Sequence, residues 1–145
     1  MIRRLSAVLA MLAALAAGCS NKPAPPAVAE ASARPPFYYD LGATSIDVSA
    51  YPPDQRGNYK LFVSACATCH TPARPINAPI IGEEAWTQYV RRMHVKMVNN
   101  GIALSQTDEG RILSFLTYDS KARKTSETFK TEQERLKAAF ESTGR

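Results

Sequence analysis

Cys66-Ala67-Thr68-Cys69-His70 is a Cys-x-x-Cys-His run. Two thiols at that spacing can each form a thioether to a haem vinyl group. A histidine directly after them falls beneath the iron as its proximal ligand. The rest of the sequence gives the pair little else to do. Of 145 residues three are cysteines, and the third, Cys19, is distant in sequence. No second pair completes a four-cysteine zinc site. A thioredoxin-like redox pair calls for a strand before it and a helix after it, whereas Thr71 and Pro72 turn this chain aside.

The N-terminus accounts for how such a site is made. Met1-Ile2-Arg3-Arg4 is a charged start, Leu5 to Ala17 is almost wholly apolar, and Ala16-Ala17-Gly18-Cys19 ends the run in small residues. These are the regions of a secretory signal, too short to span a bilayer. Residues 1–18 read as a signal peptide. Cys19 resembles the acylated first residue of a bacterial lipoprotein, although Ala16 stands where a larger aliphatic residue is usual. The expected location is the bacterial periplasm, with a lipid at Cys19 as membrane anchor. Ser20 in place of an aspartate favours the outer membrane. Residues 19–36 are rich in Pro and Ala and read as an extended tether, reaching about 3 Å per residue.

Residues 37–119 read as an all-α domain of about three main helices with irregular connections. Pro52-Pro53-Asp54 opens the first helix, with proline in the first turn and acid at its positive end. Tyr59, Phe62, Val63 and Cys66 are spaced for one face of it. Pro72, Pro75 and Pro79 make the stretch after His70 irregular. A carbonyl there, at Pro75 or Pro79, is the expected acceptor for the second imidazole nitrogen, and Arg74 is a candidate partner for a haem propionate. Gly82-Glu83-Glu84 starts the next helix and Asn99-Asn100-Gly101 ends it. Trp86, Val90, Met93 and Met97 share one face of that helix. Met93 or Met97 supplies a thioether for the sixth coordination position, with His94 as the imidazole alternative. The last core helix begins near Ser105, with Asp108 three residues on as a capping partner. No phosphate loop, serine nucleophile elbow or paired acid cluster marks an enzyme.

Residues 120–145 read as a charged tail. Lys121, Arg123 and Lys124 form a basic cluster, and Phe129, Gln133, Leu136 and Phe140 trace a narrow stripe on a possible helix. That helix either docks on a partner or a membrane surface or packs on its own domain. The formal net charge is +5, including Arg3 and Arg4 of the signal. No basic patch with interleaved aromatics points to nucleic acid. A modest positive surface suits redox partner proteins with acidic docking surfaces.

Taken together, these stretches resemble a small bacterial mono-haem cytochrome c of the class I type, exported as a lipoprotein. The likeness runs from Ile46-Asp47-Val48 to Asp119. It rests on Tyr59-Lys60-Leu61-Phe62, on Cys69-His70-Thr71-Pro72-Ala73-Arg74-Pro75 and on Trp86-Thr87-Gln88-Tyr89-Val90-Arg91-Arg92-Met93. The resemblance implies one covalent haem c on Cys66, Cys69 and His70. It also implies Met93 as distal ligand and electron transfer as the role. A haem-based sensor with a displaceable distal ligand is the alternative.

Overall fold

The computed structural model describes residues 35–143. Among the described residues all regular structure is helical. A short 3-10 turn at Tyr38–Leu41 leads into α1 (Pro53–Cys66), α2 (Ala73–Asn77), α3 (Glu83–Asn99), α4 (Gln106–Ala122) and α5 (Glu127–Ser142). The helix boundaries follow local chemistry. Pro53 sits at the first helical position of α1, where its missing N–H costs nothing, and Asp54 follows in the first turn. At the end of α3, Gly101 adopts φ +73°. Its N–H donates to Val98 O at 3.0 Å, while Ile102 N–H donates to Met97 O at 2.9 Å. That is a Schellman closure, which glycine accommodates without strain. Ser105 caps α4 by accepting from the Asp108 N–H at 3.0 Å, and its hydroxyl donates to the Asp108 carboxylate at 2.8 Å.

The core is built from α1, α3 and α4, with α4 lying against both of the others. Phe62, Trp86, Tyr89, Val90, Ile112, Phe115 and Leu116 are buried together with Ile76 of α2. Phe62 and Phe115 stack at 5.2 Å between ring centroids, and Tyr59 lies 5.2 Å from the same phenylalanine. Each large apolar side chain removed from water contributes roughly 1.5–3 kcal/mol. Trp86 is wholly buried, and its indole N–H donates to Ser120 Oγ at 2.8 Å. A polar edge aligns α1 on α4. Arg111 Nε donates to Asn58 Oδ1 at 3.0 Å, and Gln55 Nε2 donates to Ser114 Oγ at 3.2 Å.

Two features depart from the sequence reading. The stretch between Pro72 and Pro79 contains α2. Pro75 falls in its first turn, where no backbone N–H is needed. The domain also does not end at Asp119. Helix α4 runs on to Ala122, with Ser120 fully buried, and α5 packs its buried Phe129, Gln133 and Leu136 inward. The three long helices expected of the domain are α1, α3 and α4, and the helix read as possible in the tail is α5. Helix α5 lies against the 3-10 turn at Tyr38–Leu41.

The basic cluster of the tail is largely internal. Arg123 pairs with buried Asp119 at 2.7 Å and donates to Ile76 O at 2.7 Å. Lys124 Nζ donates to Pro75 O and Ala78 O, each at 2.8 Å, and sits 4.6 Å from the Trp86 ring centroid. Gln133 Nε2 donates to Asn77 O at 3.0 Å. Four consecutive carbonyls, 75 to 78, are therefore satisfied from beyond residue 122. They lie at the end of a five-residue helix, where carbonyls lack intrahelical donors, and Ala78 O also accepts from the Ile80 N–H at 2.8 Å. Lys121 alone of the cluster is exposed.

Gly42 is constrained by Asn77. A Cβ at Gly42 would lie 2.3 Å from Asn77 Cγ. Asn77 cannot withdraw freely, because its amide donates to Ala43 O at 2.8 Å and Ala73 O at 2.7 Å. Gly42→Ala is expected to destabilise the domain by about 1–3 kcal/mol, read as a lower urea midpoint. An unchanged midpoint would show that this contact yields without cost.

Candidate functional site

Helix α1 ends at Cys66, where the Ala67 N–H still reaches Val63 O at 2.9 Å. The chain then turns through Cys69 and His70 before α2 begins at Ala73. Both thiols are free. Cys66 is half-buried and Cys69 exposed. Burial pushes the Cys66 thiol up to about 11, so it is protonated at neutral pH. A catalytic thiol of the thioredoxin kind is shifted the other way.

The motif faces α3 across a cavity of about 140 Å³. Cys66, Cys69, His70 and Pro75 form one side, and Tyr89, Met93, Lys96 and Met97 form the other. A neighbouring cleft of about 410 Å³ reaches out along Pro35, Asp40 and Arg74. The two spaces share His70, Tyr89, Met93 and Lys96. Met93 borders both spaces, and Met97 only the smaller. Burial, with Cys66 nearby, raises the Tyr89 hydroxyl to about 12, so it stays protonated.

The structure brings Cys66, Cys69, His70, Met93 and Met97 to one place. It turns His94 away: the ring Nδ1 lies 3.0 Å from Glu109 Oε2 on α4. The His70 acceptor also differs from expectation. His70 Nδ1 lies 2.9 Å from Thr71 O. A carbonyl only accepts, so Nδ1 is the donor in this contact, and Nε2 is the nitrogen left for a ligand. Pro75 O is already engaged by Lys124. Arg74 is engaged as well, in a two-point pair with Asp40 at 2.7 and 2.8 Å, with Phe37 under its guanidinium. That pair fastens the lead-in to the rim of the cleft.

Lys96 and Tyr89 were not read as site residues from the sequence. They had a signal there: Tyr89, Met93, Lys96 and Asn100 stand at offsets of four, seven and eleven, a second stripe on α3 beside the one through Trp86. Cys19 lies outside the described residues.

Among the described residues no three His, Cys, Asp or Glu side chains gather to hold a bare metal ion. Haem iron asks less, since the macrocycle supplies four nitrogens and the protein only axial ligands. The residues fit that demand. Two free thiols, an imidazole with Nε2 available and two thioethers border one mainly apolar space. The smaller cavity lies below the ~300–1,000 Å³ range of small-molecule sites, and a haem would also draw on the adjoining cleft. No known protein family, curated protein or solved structure matches this chain.

Proposed function

We propose that this chain is a mono-haem electron-transfer protein, exported to the periplasm and tethered through a lipid on Cys19. The observation that carries the reading is the convergence of Cys66, Cys69 and His70 with Met93 and Met97 on one cavity. When bound, the haem supplies a one-electron couple. The chain's own residues hold and tune it. Cys66 and Cys69 provide the covalent attachment. The Nδ1–H of His70, donating to Thr71 O, fixes the ring tautomer and orientation. Met93 offers a soft thioether and is favoured over Met97 because it borders both spaces. Tyr89, Pro75 and Ala65 line the space with carbon and limit water, which raises the potential of a one-electron site.

The test is the intact mass of the full chain made in a host with cytochrome c maturation. A gain of one haem that survives acid–acetone extraction is expected, and a mass without haem would end the reading. Cys19→Ser should move the protein from the membrane fraction to the soluble periplasm. The oxidised protein should show the weak long-wavelength band of sulfur-to-iron charge transfer. Met93→Ala should abolish the band and Met97→Ala should keep it. Loss in the Met97 variant alone would move the ligand one turn along α3. A native protein without the band, whose reduced form binds carbon monoxide rapidly, would replace the carrier by a sensor.

A further inference from the structure

Helix α3 carries a surface that its own domain does not use. Val95 and Val98 are 56% and 55% exposed, the most exposed large apolar side chains described. They stand three residues apart, so they share one helical face. Arg91 and Arg92 lie one turn before them on the same side, and Lys96 is adjacent. All three cations are exposed.

Among the described residues these cations lack a carboxylate, as do Arg56 and Lys60 of α1 and Lys121 and Lys124 beyond, but only they share their helix with exposed large apolar side chains. Arg74, Arg111, Arg123, Lys130, Arg135 and Lys137 each sit against one. Arg91, Arg92 and Lys96 form no ion pair among the described residues. Residues 85–99 of α3 contain no Asp or Glu at all. The helix dipole accounts for Lys96, which is in the last turn. It does not account for Arg91 and Arg92, because that effect fades within one turn. An apolar pair ringed by unpaired arginines has the composition of a protein–protein contact, where arginine is enriched and lysine depleted. A membrane surface fits less well. Interfacial helices bring Trp, Phe or Leu to the bilayer, and this face presents two short valines.

We infer that the Arg91, Arg92, Val95, Val98 face of α3 docks a protein partner through a carboxylate-rich patch. This rests on the electron-carrier reading for its purpose: Met93 and Met97 of the same helix border the cavity of Cys66, Cys69 and His70, and Lys96 joins the cavity to the face. A partner seated on α3 is one helix thickness from that cavity. The tail cluster cannot play this part, since Arg123 and Lys124 are spent on the carbonyls of residues 75 to 78.

The test places a photo-crosslinking amino acid at Val95, at Val98 and, as a control, at exposed Ile81 in the full chain in its host. Adducts are identified by peptide mass spectrometry. Expected is one protein joined at 95 and 98 but not at 81, through a peptide rich in Asp and Glu. Arg91→Glu with Arg92→Glu should lower its association rate at low salt at least about tenfold, with the difference shrinking as salt rises. Far-UV circular dichroism checks that this variant keeps its helices. Four outcomes overturn the proposal: adducts to lipid, adducts to a second copy of this chain, a rate unmoved by charge reversal, or no adduct. Haem content is measured on the same sample. Adducts without haem would sink the carrier reading and leave the docking face standing, and haem without adducts would do the reverse.

Discussion

Cys66→Ala combined with Cys69→Ala is expected to abolish covalent haem completely. Intact mass should fall by one haem, and acid–acetone should leave no colour with the protein. The two thiols are free and border the same cavity, so neither has another bond to lose. The double variant should also fold poorly. The side of the cavity they form with His70 faces Tyr89, Met93, Lys96 and Met97 of α3, and without a haem between them those apolar linings lose their packing partner. Far-UV circular dichroism against the parent measures this. If parent and variant both lack haem and have the same mass apart from two sulfurs, the cofactor assignment is wrong.

Lys124→Met is expected to produce the other large effect, and its size should depend on pH. Lys124 is 3% exposed. Burial pulls its pKa from 10.5 down to about 7, with Asp119 opposing the shift and Arg123 adding to it. Its neutral amine has two N–H groups, matching the carbonyls of Pro75 and Ala78. Between pH 7 and 10.5 the unfolded chain binds a proton that the folded chain has released. Unfolding therefore takes up a proton there, and stability rises with pH. The gain is complete above 10.5 and is lost as pH falls through about 7. The slope contributed by this one lysine approaches ~1.4 kcal/mol per pH unit. Methionine fills similar space without titrating and leaves the buried Pro75 carbonyl unpaired, at about 1–3 kcal/mol, while Ala78 O keeps the Ile80 N–H at 2.8 Å. Urea unfolding at pH 7 and pH 9 should show the gap between parent and variant widening at the higher pH. A gap equal at both pH values would mean that Lys124 stays charged in the folded protein.

The sequence announced the ends of α1, α3 and α4 because those ends are local. Pro53 and Asp54, Gly101, and Ser105 with Asp108 act within a few residues of themselves. The same holds for the motif, whose spacing alone places Cys66, Cys69 and His70 together. Met93 and Met97 were legible from helical period. The arrangement after Pro72 was not legible. Lys124 meets Pro75 O across 49 residues, and Gln133 meets Asn77 O across 56. No local pattern encodes a cation aimed at a distant carbonyl. Charge in a tail therefore read as surface, when two of the three basic residues in its cluster, Arg123 and Lys124, point inward. Arg74 misled for the same reason. Its partner Asp40 lies 34 residues earlier, in a lead-in that reads as irregular.

The four carbonyls of residues 75 to 78 also impose an order in time. Their partners lie at Arg123, Lys124 and Gln133. Any process that delivers this chain from its N-terminus, whether synthesis or passage through a membrane, presents Cys66 and Cys69 first. The segment beside them cannot close until the residue at 133 has arrived, more than sixty positions later. Until then those carbonyls bond to water, and both thiols belong to a chain still open on that side.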